Sequence, residues 1–335
     1  MRDETVSTGF FLGLLGYAVS KGADREALRA RAGEHEASLQ DRDSRLPFAH
    51  YVTLMRAAKE ATGDSALALN FGQAVDVANI SIVGLIGQAS ETMLDAFTQL
   101  NRYVRLIVDI EVNGEDRFLL KRDAGGLWFT DARANPNTFP ELTESAFSHI
   151  VAGPRRAGVP QWVKEVRVTH PRPAYAGEYE RIFQAPVVFS SDRNAMRMEE
   201  GIVAHKLGVL PRYVFGVLTE HADALIKEMT SAATTRGQVE GQLLPILHTG
   251  EAAMDTIAAK LGVSRQTLYR NLKEEGATFE QVLDDLRHKL ALEYLRGQKT
   301  SVNETAYLVG FSDPASFSRA FKRWTGKSPR QARDV

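Results

Sequence analysis

The 335 residues contain no cysteine. That absence removes disulfides, thiolate nucleophiles and cysteine-based zinc sites together. Eight histidines are present, but no two stand four residues apart, so a helix-borne metal pair has no basis. Long apolar runs are missing as well. The strongest, Phe10 to Val19, is about half of what a bilayer crossing needs. Arg2 in its leader is offset by Asp3 and Glu4, and no small-x-small cleavage site follows, which argues against a signal peptide. The run reads as a buried helix and the protein as cytoplasmic, with no membrane partner. No phosphate-binding Gly loop, Gly-x-Ser-x-Gly elbow or dinucleotide fingerprint stands at a strand-to-helix turn. The expectation is therefore no catalytic residue, no metal and no cofactor.

A surplus of positive charge is also lacking: 41 Lys and Arg face 42 Asp and Glu, a net charge of −1. The balance is uneven along the chain. From Thr249 onward 14 cations meet 11 anions, and from Pro314 onward six meet one. A local basic surplus at one end of an otherwise acidic chain is the footprint expected of phosphate contact.

That end carries the most specific pattern in the sequence. A short helix over Val302 to Val309 is predicted to close at Gly310, a residue that tolerates the left-handed conformation. Ser312 or Asp313 can cap a new helix, with Pro314 in its first turn. Phe317, Phe321 and Trp324 then recur on one apolar face, leaving Ser316, Arg319, Lys322 and Arg323 off that stripe. Upstream, Thr256 to Lys273 repeats the plan. With Gly262 placed on Gly310, Ala258 falls on Ala306 and Ser264 on Ser312. After one extra residue in the later copy, Leu268 matches Phe317, Arg270 matches Arg319 and Lys273 matches Lys322. Between the copies Phe279 to Arg296 reads as one continuous helix ending before Gly297. At 1.5 Å per residue it is about 27 Å long, a spacer suited to holding two reading helices about one DNA turn apart.

These residues carry a resemblance. From about 240 to 333 the chain resembles the DNA-binding module of the AraC/XylS transcription regulators. The match runs through Ala306-Tyr307-Leu308-Val309-Gly310-Phe311, then Ser316 to Arg323, then Gly326-Lys327-Ser328-Pro329 and Arg333. One departure is Ala332 before Arg333, where the family usually has an aromatic nearby. The resemblance implies that Gln266, Tyr269, Arg270, Pro314, Ala315 and Arg319 face bases. Arg265 points outward with them, because Leu268 and Leu272 must face the core. Arg suits guanine and Gln suits adenine, whereas Pro314 and Ala315 lack side-chain donors, so the second helix should read less stringently. Ser264, Thr267, Lys273, Ser316, Ser318, Lys322 and Arg323 are the phosphate candidates.

The remainder reads as α+β. Helices are predicted at Phe10 to Arg31 (broken at Lys21-Gly22-Ala23), Phe48 to Thr62 and Thr92 to Val104. The period then turns to two over Ile107 to Val112, Arg117 to Arg122 and Leu127 to Asp131. Asn113-Gly114 and Gly125-Gly126 between them are tight-hairpin dipeptides. Glu141 to Gly153 and Tyr175 to Phe183 read as helices, Trp162 to His170 as a strand, and Val187 to Ser190 with Ala195 to Met198 as a closing pair of short strands. The fold class expected is an α+β N-terminal domain, helices then mainly antiparallel sheet. An all-α C-terminal domain follows, with two helix-turn-helix motifs joined by a long helix.

Residues 12 to 208 resemble the arabinose-binding-type N-terminal domain of one branch of the family, through Arg45-Leu46-Pro47-Phe48, Thr62-Gly63-Asp64, Gly84-Leu85-Ile86-Gly87 and the stretch at Phe189, Arg193, Asn194 and Ala195. This implies an effector or dimerisation domain over 1–209. A helix from Leu210 to Ala233 reads as either a dimer seam or a packing helix. The polar stretch Thr230 to Gly241 reads as a linker, so that 210–240 is helix and linker and 241–335 the DNA-binding domain. Expected partners are double-stranded DNA, a small-molecule effector, RNA polymerase and a second copy of the chain. Arg105, His170 and Arg172 are the weak effector candidates. If some of the arginines near the sheet (Arg102, Arg105, Arg133, Arg155, Arg156, Arg172, Arg193) line a cavity, the effector is anionic. The competing class is an N-terminal enzyme or carrier with a C-terminal protein-docking module, distinguished by whether Arg270 and Arg319 matter to DNA.

Overall fold

The computed structural model describes residues 4–123, 125–207, 211–232, 234–296 and 300–333. Two compact units divide the chain, Met1–Ile226 and Lys227–Val335. In the first, β1 (Thr5–Ser7) feeds α1 (Thr8–Ser20), capped by Ser7, whose Oγ accepts from the Phe10 N–H. Phe10, Phe11, Leu14 and Leu15 are all buried, as a helix apolar on most sides must be. The run that resembled a signal core is a core helix. Next come α2 (Arg25–Arg31), β2 (Arg45–Pro47), α3 (Phe48–Thr62), α4 (Leu67–Ala74), α5 (Ile82–Ala89), α6 (Met93–Ile107) and β3 (Val108–Asp109).

The stretch Arg45-Leu46-Pro47 is an edge strand. In a small antiparallel sheet, β1 lies between β2 and β3, with Val6 opposite Leu46 on one side and Val108 on the other. Arg45 fastens this sheet by donating to Leu106 O at 2.5 Å and to Thr5 O at 3.0 Å. Consequently the expected hairpin at Asn113-Gly114 does not form. β3 belongs to the small sheet, and the following strand belongs to another.

The second sheet is built from β4 (Phe118–Asp123), β5 (Gly126–Asp131), β6 (Val163–Arg167), β7 (Val187–Val188) and β8 (Asn194–Met198), with α7 (Glu141–Arg156) inserted after β5 and α8 (Ala176–Phe183) after β6. Its order is β4-β5-β8-β6-β7. The β4–β5 hairpin forms as predicted, with Leu120 opposite Phe129. The two last strands are not a pair: β8 inserts antiparallel between β5 and β6, and β7 runs parallel to β6 at the edge. Then α9 (Arg212–Ala232) returns to the unit, with Phe215, Leu218, Ala222 and Leu225 packed on the α1–α3 core. Its expected ends, Leu210 and Ala233, lie outside the described residues.

The second unit is helical: α10 (Thr235–Leu243), α11 (Met254–Lys260), α12 (Arg265–Glu274), α13 (Phe279–Arg296), α14 (Val302–Leu308), α15 (Pro314–Thr325) and α16 (Pro329–Arg333). The expected linker is corrected here. Its second half is α10, capped by Thr234, with Val239 and Leu243 buried in the unit's core. The predicted stop of α13 at Gly297 lies outside the described residues.

Candidate nucleic-acid interface and ligand cavity

One core serves both helix-turn-helix copies. Leu268 and Leu272 of α12, Phe317 and Phe321 of α15, and Val282, Leu286 and Leu295 of α13 are buried in a single cluster. With one face of each reading helix committed inward, the opposite face is forced out. Ser264, Arg265, Gln266, Tyr269, Arg270 and Lys273 are exposed on the first; Ala315, Arg319, Lys322 and Arg323 are exposed on the second. Thr267, Pro314, Ser316 and Ser318 are half-buried at the helix starts and flanks.

The turns explain the extra residue in the second copy. Gly262 and Gly310 both take positive φ, +68° and +78°. Ser264 caps α12, its Oγ accepting the Thr267 N–H at 3.1 Å, so Arg265 opens that helix. In the second copy Ser312 is passed over and Asp313 caps α15, accepting the Ser316 N–H at 2.8 Å, so Pro314 opens it. From the caps onward the copies are in step, and Arg270 and Arg319 occupy the same helical position. Hydrogen bonding to Ser316 holds the Asp313 carboxyl below its usual range.

Some of the cations already have partners. Arg265 reaches Asp255 at 2.6 Å and Arg323 reaches Asp284 at 2.6 Å. Arg270 lies 3.9 Å from Glu274, and Arg319 donates to Ser316 Oγ at 2.9 Å. All four ion pairs or bonds are exposed, where such contacts are weak and readily exchanged for phosphate. Reading the sequence missed one further residue. Arg287 of α13 donates to Val309 O at 3.1 Å and Gly310 O at 3.0 Å, with its guanidinium 4.7 Å above the Phe311 ring. It clasps the second turn from the spacer helix, and burial lowers its pKa. No sequence signal marks it, since one Arg in an amphipathic helix reads as surface.

The first unit holds a cavity of about 520 Å³ between α5, α6, α7 and the start of β4. Val83, Met93, Phe97, Leu100 and Val104 make its walls apolar, while Arg117 and His149 are buried polar residues along them. His149 donates from Nδ1 to Val75 O at 3.2 Å and packs edge-on against Phe71. Burial pulls its pKa down to about 4, so the ring is neutral near pH 7. None of the three effector candidates lines this space. Arg105 pairs with Asp109 at 3.0 Å, and Arg172 is exposed beside Glu180. His170 Nε2 lies 2.7 Å from the Tyr179 hydroxyl, in a network closed by Glu144. Of the sheet arginines, Arg156 does border the cavity. Among the described residues no three His, Asp or Glu side chains gather as a metal would require.

Comparison with known proteins resolves what this architecture is. The model of the arabinose-binding domain of AraC transcription regulators matches residues 22–207, and a helix-turn-helix domain model matches 257–334. This chain belongs to the AraC family of transcription regulators. It is a DNA-binding regulator with an arabinose-binding-type N-terminal domain, and the families and relatives it matches are regulators rather than enzymes. The ornithine utilization regulator of Pseudomonas aeruginosa is 26% identical over 344 residues, covering 99% of this chain and 97% of that protein. The transcriptional activator RhaS of Escherichia coli is 39% identical over 88 residues, 25% of this chain and 32% of that one. Among solved structures, the regulator CdpR of P. aeruginosa aligns over 84% of this chain and 91% of its own, at 21% identity and a TM-score of 0.37. The alternative of an enzyme or carrier with docking repeats is not favoured by these AraC-type matches. No described helix is long and apolar enough to cross a membrane.

Proposed function

We propose that this AraC-type regulator reads two successive major-groove segments with α12 and α15, and that a small molecule in the first unit's cavity controls it. Arg265, Gln266, Tyr269 and Arg270 face bases in the first segment, and Pro314, Ala315 and Arg319 in the second. Ser264, Thr267, Lys273, Ser316, Ser318, Lys322 and Arg323 hold phosphates. The carrying observation is the placement of Arg270 and Arg319 at one helical position in two copies, both exposed opposite one shared core. Residues 1–209 with most of α9 serve as effector and dimerisation domain, and 234–335, α10 included, bind DNA in the cytoplasm. A homodimer brings four reading helices to one operator, with RNA polymerase as a further partner. Tyr213 and Val217, four residues apart and exposed on α9, support that helix as a pairing face.

The test is duplex affinity by fluorescence anisotropy across a salt series. Arg270→Ala and Arg319→Ala should each weaken specific binding by about 10- to 100-fold, and the wild-type affinity should fall steeply with salt. A salt-independent affinity, or a double variant that binds as well as wild type, would overturn the assignment.

A further inference from the structure

The cavity's polar groups select a ligand class. Arg117 and Arg133 are 5% and 4% exposed, and both turn to one carboxylate, Asp131. Arg117 donates from Nε and one terminal nitrogen to Asp131 at 3.2 and 3.3 Å. Arg133 lies 3.8 Å from the same group and otherwise donates to Pro136 O, Phe139 O and Thr143. Thr143 takes a further share of Asp131. Neighbouring acids correct the imbalance little: Asp109 has Arg105, Glu141 has Lys59 and Asp76 has Arg156, while Glu4, which acts on Arg133, is exposed and screened by solvent. Two buried guanidiniums over one carboxylate leave a net positive charge in a desolvated place, which is costly until an anion joins it.

Arg117 is the member of that trio that borders the cavity, and its second terminal nitrogen makes no hydrogen bond among the described residues. The cavity's other buried polar group is complementary. His149 has its Nδ1 proton on Val75 O, so Nε2 presents a lone pair, and that atom is buried without a partner. A lone pair repels a carboxylate and accepts from a hydroxyl or amide. The acid end is thereby directed to Arg117, and the walls between are hydrocarbon.

We infer that the cavity takes an amphipathic organic acid, its carboxylate on Arg117 and its apolar body along α5 and α6. This rests on the cavity being the effector site. A volume of about 520 Å³ falls in the range of small-molecule pockets, and an aliphatic carboxylate of medium chain length fits within it.

The experiment uses the full chain and a neutral apolar dye, N-phenylnaphthylamine, whose fluorescence reports occupancy. Octanoate, decanoate and dodecanoate compete against the matching alcohols and methyl esters. The acids should displace the dye at concentrations about tenfold or more below their neutral counterparts, the yield of a charge-assisted bond in a dry site. Arg117→Gln should erase that preference while the dye still binds. Arg117→Lys, which keeps the charge on the buried Asp131, should retain part of it, and it serves if the Gln variant fails to melt cooperatively. Ala146→Phe, filling the cavity from α7, should weaken dye and acid together. Alcohols that compete as well as acids, or acids that fail to displace a bound dye, would overturn the ligand class and leave the cavity reading standing. Dye binding that ignores Ala146→Phe, or no dye binding at all, would overturn the cavity reading, and the ligand class with it.

Discussion

Gly310 and Gly262 do the same backbone task in different surroundings, and substitution should separate the two effects. Both require positive φ, which costs an alanine about 1 kcal/mol or somewhat more. Around Gly262 there is open space, so Gly262→Ala should lose that amount only. At Gly310 an added Cβ would fall inside the contact distance of Leu247 O, a backbone atom that cannot swing away. Gly310→Ala should therefore cost several-fold more and weaken duplex binding through the displaced α15. Denaturant melts of the two variants decide it; equal losses would mean the turn, not the contact, sets the cost. His149 supplies a second test at this scale. Its folded pKa is lowered to about 4 from an ordinary 6.5, so protons bind the unfolded chain more readily. Its contribution is complete above pH 6.5 and disappears as pH falls toward 4, worth at most about 3 kcal/mol. The buried Glu144 runs the other way: its raised pKa gives stability present below its ordinary 4.5 and lost as pH rises. Melting temperature should drop between pH 6.5 and 4 in the wild type and much less in His149→Gln. Parallel curves would place the sensitivity elsewhere.

Among the elements, α13 does more than space the two reading helices. Through Arg287 it supplies the donors for Val309 O and Gly310 O, carbonyls at the end of α14 that its own ladder leaves open. Arg287→Met keeps the stem but strands both carbonyls, at about 2–3 kcal/mol. Arg287→Lys should rescue little, because an ammonium cannot span two acceptors and lie flat on Phe311. Binding to a full operator should fall, and binding to the α12 half-site should hold; loss of both equally would show that the spacer, not the turn, had failed. The same scale shows where periodicity was sufficient and where it was not. Helices with one apolar stripe, such as α3, α12 and α15, were legible because burial follows the stripe. α10 was not, since Thr234 to Gly241 is polar and small except for Val239, which with Leu243 anchors the helix. Strand partners were likewise hidden. Asn113-Gly114 has hairpin chemistry, yet Val108 pairs with Val6, a contact between residues far apart in sequence.

At the scale of the molecule, the helical repeat and its exposed face were legible and the cavity was not. A repeat exposes its logic in one dimension, whereas a cavity is assembled from α5, α6, α7 and β4, and its polar residues are single letters on apolar elements. Arg117 read as the first residue of a strand, and His149 as part of an ordinary helix. Only the arrangement of α6 suggests how ligand and DNA communicate. One side of α6 carries Met93, Phe97, Leu100 and Val104 into the cavity. Another holds α9: Arg102 meets both Asp223 oxygens at 2.8 Å, and the Tyr103 hydroxyl donates to the same carboxylate at 2.8 Å. α9 runs on to Ala232, in sequence ahead of the DNA-binding residues. On the proposed function, a ligand that favours one position of α6 would bias α9 through Asp223. Asp223→Ala should leave the fold intact, because the Arg102 pair is half-exposed and contributes little, and the Tyr103 hydroxyl keeps Thr219 O as an acceptor at 3.4 Å. Dye and acid binding should persist while the ligand's effect on operator affinity, expected at about 5- to 150-fold, shrinks toward none. If the variant still answers the ligand fully, coupling runs by another route, and Asp223 only fastens a helix to its neighbour.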